Sequence, residues 1–289
     1  MKNLKALFFS IIGVCLLFTG CHKDRITQLT KIKIHVNGFS VEQEDISGAK
    51  DAIADYSGVN AVTLAFYNGN TEVSKITQLR NDATTYTTFG DFDLSLPMGS
   101  YTMVVVAYKT QDDSPFVLTG PTAAAFTGAH AFETFATTQA VNITSTSDVN
   151  LSATLSRIVA KLQVLSTDGK TANASSIRMT MSAGGKGFNP ATGLATSNTG
   201  FANTVSISAA TGSTSNSISY LFLATDEQTM DVAIDVLDSD GNSISHREVS
   251  DVPFKRNRLT KLTGSLYSTD AGSAFQLSTA WLSDTTIAF

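Results

Sequence analysis

Apolar and polar residues alternate along most of the chain. In residues 31–36 (KIKIHV) the apolar side chains of Ile32, Ile34 and Val36 occupy every second position, and residues 91–97 repeat the pattern. Successive side chains of a β-strand point to opposite faces, so a period of two is typical of a strand with one buried face. The alternation therefore predicts a chain built of β-strands.

Turn signals separate these segments. The Asn-Gly pair at 68–69 is a strong hairpin signal, because tight hairpin turns favour residues that tolerate positive φ. The sequence DSDGN at 238–242 marks a second turn. We also expect a short helix at 48–56 and loops at 119–134 and 182–204. The predicted strands are residues 29–36, 61–67, 91–97, 102–108, 137–143, 148–155, 158–165, 176–181, 218–224, 230–237, 243–249, 259–267 and 274–281.

The spacing of these strands favours antiparallel β-sandwiches. They recur with turns between them and without the long helical segments that βαβ units require. We place a boundary between residues 155 and 156. It divides the chain into an N-terminal β-sandwich domain (29–155) and a C-terminal one (156–289), each of ordinary domain size. No Pro- or Gly-rich linker separates them, so we expect them to join end to end through a firm hinge.

The N-terminus has the pattern of an export signal. Two lysines precede an almost unbroken apolar run at residues 6–18, which is too short to span a bilayer and has the length of a signal-peptide core. The next residues, LFTGC, resemble the lipobox of bacterial lipoproteins, where the signal is cleaved before an acylated cysteine. We therefore expect a signal peptide at 1–20, acylation of Cys21 and a polar tether at 21–28. An uncleaved anchor with a free cysteine is the alternative.

Cleavage would leave Cys21 as the sole cysteine, because Cys15 lies within the apolar run. An intramolecular disulfide is then impossible, and the stability of the protein must come from its β-core. Acyl chains contribute about 0.8 kcal/mol per buried CH₂, so a multiply acylated Cys21 would hold the protein in the membrane.

Composition and charge narrow the function classes. Hydrophobic residues are 42% and charged residues 16% of the 289 residues, which suits a folded core and is unlike a disordered chain. Without the two lysines of the signal, 18 basic residues face 25 acidic ones, and the net charge is 18 − 25 = −7. Binding to phosphate backbones needs concentrated Lys and Arg, so we expect no nucleic-acid partner.

The sequence shows no catalytic or cofactor motif. Its four histidines are scattered and no His and Cys group could close a zinc site. The GGKG sequence at 184–187 has Thr180 where a phosphate-binding loop needs its first glycine. The turn at 238–242 lacks the glutamate that completes a calcium loop, and the basic residues 255–258 precede a predicted strand. We expect no enzymatic activity, cofactor or metal.

Several segments, taken in order, resemble the fimbrillin superfamily, whose members build or anchor type V pili of Gram-negative bacteria. They are the lipobox at Cys21, residues 62–69 with 90–94 and 99–101, residues 151–164 with LSRIVAKL, residues 251–264 with DVPFKRNRLT and LTG, and the closing residues 275–289. The resemblance covers nearly the whole chain. It implies a fold of two transthyretin-like β-sandwich domains in tandem.

The resemblance also implies a mode of assembly. In polymerising members an Arg-specific protease removes the first strand of the N-terminal domain, and a strand of a neighbouring subunit fills the groove by β-augmentation. Here the removable strand would be 29–36, with Ile32, Ile34 and Val36 as its inserted side chains. The donor would be the C-terminal segment, with Phe275, Leu277, Trp281, Ile287 and Phe289 as candidate inserted side chains.

One feature departs from the family pattern. No arginine occurs between Arg25 and Arg80, and the segment 41–60 offers only Lys50 as a basic processing site. Cleavage at Arg80 would remove two predicted strands. Either another protease acts, or the subunit is not processed, and the second reading favours a fimbrial anchor that keeps its lipid.

The sequence thus predicts a non-enzymatic fimbrial subunit at the cell surface, held in the outer membrane by Cys21 and partnered by other fimbrial subunits. A surface glycan-binding lipoprotein of a polysaccharide-uptake system is the main alternative, and it should show a cluster of exposed aromatic side chains. A lipoprotein enzyme is a weaker alternative that would need a clustered acidic or His-containing pocket.

Overall fold

The computed structural model describes residues 28–40, 53, 55–82, 84, 86–268 and 276–278, with 38–40 and 276–278 described by their backbone alone. Within these residues the chain forms 18 strands and no helix. The all-β class predicted from the alternation is confirmed. Most of the helix expected at 48–56 lies outside the described residues, and its described positions at 53 and 55 lie in turns.

The first nine strands build the N-terminal half. Seven of them form one sheet in the order β3-β2-β5-β8-β9-β1-β4. Neighbouring strands are antiparallel except β1 and β9, which run parallel. The strands are β1 (Leu29–Ser40), β2 (Ala61–Asn68), β3 (Thr71–Leu79), β4 (Asp91–Pro97), β5 (Gly99–Tyr108), β6 (Phe116–Gly120), β7 (Ala123–Phe126), β8 (Thr134–Ile143) and β9 (Val149–Arg157).

The seven-stranded sheet folds over into two layers. β8 and β9 pair at only two positions, one of them Phe135–Arg157, so the two strands diverge. The layer β3-β2-β5-β8 can then lie over the layer β9-β1-β4. Apolar side chains from both layers, such as Ile34, Leu64 and Met103, form one buried cluster. The hairpin between β2 and β3 turns at Gly69, whose φ of 59° fits the predicted turn.

The side chain of Gln78 joins the two free edges of this sheet, β3 and β4. Its Nε2 donates a hydrogen bond to the carbonyl oxygen of Asp91 at 2.6 Å. Its Oε1 accepts one from the N–H of Gly90 at 2.7 Å. The amide therefore takes the place of a neighbouring peptide group and satisfies backbone groups that would otherwise lack partners.

The remaining strands build the C-terminal half. Two four-stranded sheets have the orders β14-β10-β17-β18 and β13-β11-β15-β16, and apolar side chains from both sheets form a second buried cluster. The strands are β10 (Ala160–Ser166), β11 (Ser176–Met181), β12 (Gly187–Phe188), β13 (Phe201–Ser206), β14 (Asn216–Leu221), β15 (Glu227–Leu237), β16 (Ser243–Lys255), β17 (Leu259–Gly264) and β18 (Gln276–Ser278).

An amide also bridges the edges β13 and β14. Asn203 Nδ2 donates to Ser219 Oγ at 2.8 Å, and both side chains are buried. His130, from the N-terminal half, contacts Asn203 Oδ1 through its Nδ1. The C-terminal half thus closes one side of its sandwich with help from the other half.

A third layer joins the two halves. β12 pairs with β7 across the halves, and β7 pairs with β6. Phe126, Phe188 and Phe222 stack there, with the rings of Phe188 and Phe222 4.3 Å apart. These residues form one buried cluster with outward-facing side chains of β2 and β5, such as Ala65 and Val104. The middle of the N-terminal sheet is consequently buried on both faces.

The third layer corrects two expectations and adds to a third. The stretch 119–134, expected to be a loop, contains β7 and the end of β6. The stretch 182–204, also expected to be a loop, contains β12 and the start of β13. Their small residues let strands approach the sheet closely. The halves do not merely meet end to end, because they share this layer; the domain boundary at 155/156 stays a prediction.

The first strands of the two halves have equivalent places. β1 lies between its antiparallel neighbour β4 and its parallel neighbour β9. β10 lies between its antiparallel neighbour β14 and its parallel neighbour β17. Each half therefore has one central strand with a parallel partner on one side only.

Candidate functional site

The candidate site is the slot that β1 occupies between β4 and β9. β1 pairs with β4 from Leu29↔Pro97 to His35↔Asp91. It pairs with β9 from residue 32 onward and shifts register between Val36 and Gly38. Both edges of β1 are thus engaged, and a chain without β1 would expose the facing edges of β4 and β9.

The inward face of β1 is small and β-branched. Thr30, Ile32, Ile34 and Val36 are at most 2% exposed. Burial of an Ile or Val side chain stabilises by about 1.5–3 kcal/mol, so β1 is held by its core face as well as by its backbone. Ile32, Ile34 and Val36 are the side chains proposed for the removable strand. Whether the strand is ever removed stays a prediction.

The outward face of β1 is basic and faces acidic residues of β4. Lys31, Lys33 and His35 are exposed. His35 Nδ1 contacts Asp91 Oδ1, and Lys33 lies opposite Asp93 in the strand register. Opposite charges on facing positions of paired strands stabilise a sheet by about 0.2–1 kcal/mol per pair.

Arg80 holds the C-terminal part of the candidate processing segment 41–60. Its Nη2 donates hydrogen bonds to the carbonyl oxygens of Ile53 and Tyr56, each at 2.9 Å. Its Nε donates to Val59 O at 3.1 Å, and the guanidinium lies 4.3 Å from the ring centre of Phe89. A protease would have to withdraw this side chain from all these partners. Whether Arg80 is ever cleaved stays a prediction.

Among the described residues the C-terminal strand β18 is an edge strand, whereas β1 lies between two neighbours. β18 pairs antiparallel with β17 at three positions, among them Leu262↔Leu277. Of the candidate donor residues, the structure describes only Leu277, by its backbone. Phe275, Trp281, Ile287 and Phe289 lie outside the described residues, as do the lipidation residue Cys21 and the processing candidate Lys50.

The end of β17 is held by Asp168. Its carboxylate accepts hydrogen bonds from the Ser265 hydroxyl at 2.6 Å and from the N–H groups of Leu266, Tyr267 and Ser268, each at 2.8 Å. Burial alone would raise the pKa of Asp168, but these hydrogen bonds outweigh it and hold the pKa below its usual value. The chain is therefore firmly fixed just before it continues toward β18.

A polar cluster at the junction of the halves was missed by sequence reasoning. Arg157 Nε lies 2.8 Å from Glu133 Oε1, and these side chains are only 19% and 13% exposed. Tyr56 donates to the same carboxylate at 2.8 Å, and Arg157 Nη1 donates to Asn257 Oδ1 at 3.1 Å. An arginine within the apolar sequence LSRIVAKL was the available signal.

Tyrosines of this cluster are held neutral. Burial raises the pKa of Tyr56, and the Glu133 carboxylate raises it further. Burial also raises the pKa of Tyr220, with a further contribution from Glu133. The cluster therefore carries its charge on Glu133 and Arg157, which neutralise each other, and its arrangement is that of a structural tie between the halves.

The basic residues 255–258 form the turn from β16 to β17 and line a cleft of about 660 Å³ at the junction. Arg256 Nη2 lies 2.7 Å from Asp226 Oδ1, and Lys255 contacts Glu227.

The turn at 238–242 is the predicted hairpin, since Asp238 accepts hydrogen bonds from the N–H groups of Asp240 and Asn242. Lys186 of the GGKG sequence donates to Gly128 O, so it ties β12 to the N-terminal half.

The described part of the chain has neither a metal-binding cluster nor a membrane-spanning helix. It holds no group of three or more His, Cys, Asp or Glu side chains placed to bind a metal ion. None of the described residues forms a helix that is long and apolar enough to cross a membrane.

Comparison with known proteins identifies a family. The profile of a family of unknown function, DUF6562, matches residues 61–287. The chain belongs to this family. A comparison of the DUF6562 chain with curated proteins found no match.

Solved structures share the fold of this DUF6562 chain at low sequence identity. A "putative adhesin" from Bacteroides ovatus, solved at 2.50 Å, matches with a TM-score of 0.50 and 11% identity over 89% of this chain and 96% of that chain. The fimbrial anchor protein Mfa2 from Porphyromonas gingivalis matches with a TM-score of 0.45 and 8% identity over 86% and 95% of the two chains. The tip fimbrial protein Mfa3 from the same organism matches with 0.43 and 13% over 86% and 98%. The Bacteroides ovatus likeness shows a shared all-β fold and nothing finer, and the two fimbrial likenesses are weaker.

Proposed function

We propose that this chain is a non-enzymatic fimbrial subunit, anchored in the outer membrane through acylated Cys21, that stays uncut and offers its C-terminal strand to the next subunit. The observation that carries the proposal is the closed slot of β1. β1 is paired along both edges and fills the core with four side chains. At the described β1 slot, a neighbouring subunit therefore finds no open groove to fill.

The cost of opening the slot supports an uncut resting state. Loss of β1 would leave seven positions of β4 and eight of β9 without their present partner strand. Such an exposed apolar edge invites aggregation unless another strand replaces it. Removal of β1 is therefore expected only where another strand can replace it. The segment 41–60 also lacks an arginine, at which the protease of the fimbrillin superfamily cuts.

The C-terminal end is the better donor in this arrangement. In the described residues β18 is the edge strand of its sheet, with β17 as its described neighbour, whereas β1 has a neighbour on each side. A strand with one described neighbour has fewer partners to leave than a strand held between two. Backbone pairing would give affinity in the next subunit, and alternate side chains from Phe275 to Phe289 would give specificity.

The glycan-binding alternative gains no support from the described surface. The exposed large apolar side chains there are Leu29, Val73, Leu79, Met98 and Val117, and none is aromatic. The phenylalanines that could have formed a sugar platform are instead stacked between the halves. The fold shared with the Bacteroides ovatus protein agrees with a surface adhesion role.

The test is mass analysis of the protein purified from its native outer membrane, with N-terminal mapping and labelling by a fatty-acid probe. We expect an acylated N-terminal Cys21 and an uncut segment 41–60. Cys21→Ser should abolish labelling, whereas the matched variant Cys15→Ser should keep it. A new N-terminus within 41–60, with Cys21 lost, would show a processed polymerising subunit and contradict the anchor proposal.

The donor role has its own test. A variant that ends at Ser268 should remain in the outer membrane but fail to co-purify other fimbrial subunits after mild cross-linking. Retained co-purification would show that the C-terminal segment is not the donor.

A further inference from the structure

We infer that Asp91 and Asp93 are the specificity residues of the β1 slot: they select a strand with basic outward residues and reject the C-terminal segment of a second copy of this chain. This inference goes beyond the proposed function, because it concerns the slot once β1 has been cut free, a state that the uncut anchor does not reach. It predicts that the protein does not polymerise with itself.

The outward face of the slot is acidic. The outward positions of β4 and β9 that pair with β1 are Asp91, Asp93, Ser95, Pro97, Asn150, Ser152, Thr154 and Ser156. Only the two aspartates carry charge. Any strand in the slot therefore places its outward side chains beside two carboxylates, and none of these eight outward positions carries a base.

The basic outward residues of the resident strand β1 match these acidic positions. His35 lies opposite Asp91, and Lys33 lies opposite Asp93. Lys31 is diagonal to Asp93 and within reach of a long side chain. The basic positions of β1 thus follow the acidic positions of β4, in a chain whose overall charge is negative. A shift of one residue would place the apolar face of β1 in solvent, so the charges reinforce the register that burial already requires.

The C-terminal segment of a second copy does not match the charge of the slot. Residues 269–289 contain Asp270 and Asp284 and no Lys, Arg or His. This segment therefore brings either no charge or a repelling charge to Asp91 and Asp93. Its larger apolar residues, Trp281 among them, would also replace Ile and Val in the slot, and overpacking a core is destabilising.

The slot of β10 serves as an internal comparison. The outward residues of β14 and β17 that pair with β10 include Tyr220, Ile218, Leu259 and Lys261, and none is acidic. The acidic pair is therefore a property of the β1 slot and not of every central strand in this fold. The occupant that fits is an extended segment with β-branched residues inward and Lys or Arg outward, from this chain's own β1 or from a different subunit.

The test uses the full mature chain with a specific protease site inserted within 41–50, cut once so that both pieces remain. Fluorescent peptides compete for the slot, and their entry is followed by anisotropy. The reference peptide carries the sequence of residues 28–40. A second peptide carries Lys31→Glu and Lys33→Glu with the same inward residues, and a third carries the sequence of residues 274–286.

We expect the reference peptide to enter and the Glu peptide to bind about tenfold more weakly at low salt, as two cross-strand charge reversals imply. In the matched protein variant Asp91→Asn with Asp93→Asn, the difference should shrink to about twofold. The 274–286 peptide should bind at least tenfold more weakly than the reference. The aspartates are partly or fully exposed, so this variant should fold.

Two results would overturn the inference. In the first, the Glu peptide binds as tightly as the reference peptide; in the second, the 274–286 peptide does. Either result would show that the aspartates do not select the strand, although strand replacement itself occurs. If even the reference peptide never enters the folded, cut protein, strand addition at this slot fails and the inference fails with it. The anchor proposal is judged separately by the N-terminal mapping.

Discussion

β1 and β10 occupy equivalent places in the two halves, yet they are tied to the chain in different ways. Each lies between an antiparallel and a parallel neighbour. β10 follows β9 after only Ile158 and Val159, and both of these residues are buried at the junction. β1, in contrast, is separated from β2 by residues 41–60. The same pairing therefore gives a strand that cannot leave in one half and a strand that one cut would free in the other.

The outward faces of these strands differ as well. Lys31 and Lys33 of β1 are exposed and face aspartates, whereas Lys161 of β10 is half-buried, with its Nζ 5.9 Å from the ring centre of Tyr220. The comparison shows that strands with the same pairing differ in their covalent connection and in the chemistry of their flanking strands. Whether β1 is ever exchanged stays a prediction.

The largest effect should come from breaking the layer that joins the halves. Phe188 is fully buried and stacks on Phe222, so Phe188→Ala should lower the free energy of unfolding by about 3–5 kcal/mol. Urea unfolding with hydrogen exchange read separately for each half measures this, and both halves should lose protection. Val117→Ala, at a 37% exposed position, should change stability by under about 0.5 kcal/mol. Lost protection in one half alone would contradict the coupling.

Core truncations in the two equivalent strands should cost about the same in the intact chain. Ile34 is 2% and Leu162 0% exposed, so Ile34→Ala and Leu162→Ala should each cost about 2–5 kcal/mol in urea unfolding. Lys33→Ala and Gln163→Ala are the matched outward controls and should cost far less. If Ile34→Ala were nearly neutral, β1 would not be the integral strand that the structure shows.

The two edge-bridging amides should differ in their effect. Gln78→Met would leave the Gly90 N–H and the Asp91 carbonyl unpaired, at about 1–3 kcal/mol. Asn203→Ala should cost less, because Asn203 bonds to the side chains of Ser219 and His130 and its loss leaves the backbone pairing of the strands intact. Thermal unfolding compares the two variants. An equal or larger loss for Asn203→Ala would show that the two bridges are equivalent.

Acid should weaken the C-terminal half through Asp168. Because the pKa of Asp168 is lowered in the folded protein from 3.8, its contribution is present above about pH 4 and is lost as the pH falls through the folded pKa. Asp168→Asn should cost about 1–3 kcal/mol at pH 7 and flatten the acid limb of stability against pH. Asp240→Asn, in an exposed turn, is the control. An unchanged acid limb would remove Asp168 as its cause.

The smallest effect should come from His246 on the outer face of the C-terminal half. Its hydrogen bond to Asp235, at 2.8 Å, raises its pKa above 6.5 although burial opposes this. Its contribution is thus fully present below pH 6.5 and is lost as the pH rises through the folded pKa. The imidazole is 52% exposed, so His246→Ala should cost under about 1 kcal/mol at pH 6 and nothing at pH 9. A loss that persists at pH 9 would indicate packing instead of charge.

Local patterns carried much of the information about this protein. The alternation around Ile32 and Ile34 predicted a strand and its buried face, because the period of side chains along a strand is a local property. The turns at 68–69 and 238–242 follow from residues that tolerate their backbone conformation. Ile32, Ile34 and Val36 were assigned to one face on the same basis, and all three are buried.

Only the tertiary structure decided which strands meet. Nothing near Phe188 predicts that two residues of a loop-like sequence pair with β7 and bury the second face of β2 and β5. The ion pair of Glu133 and Arg157 also depends on the pairing of distant segments. The same holds for the strand register that places Lys33 opposite Asp93. A strand's period determines which of its side chains point inward; the identity of its neighbours is determined by the packing of the whole chain, and the specificity of the slot depends on those neighbours.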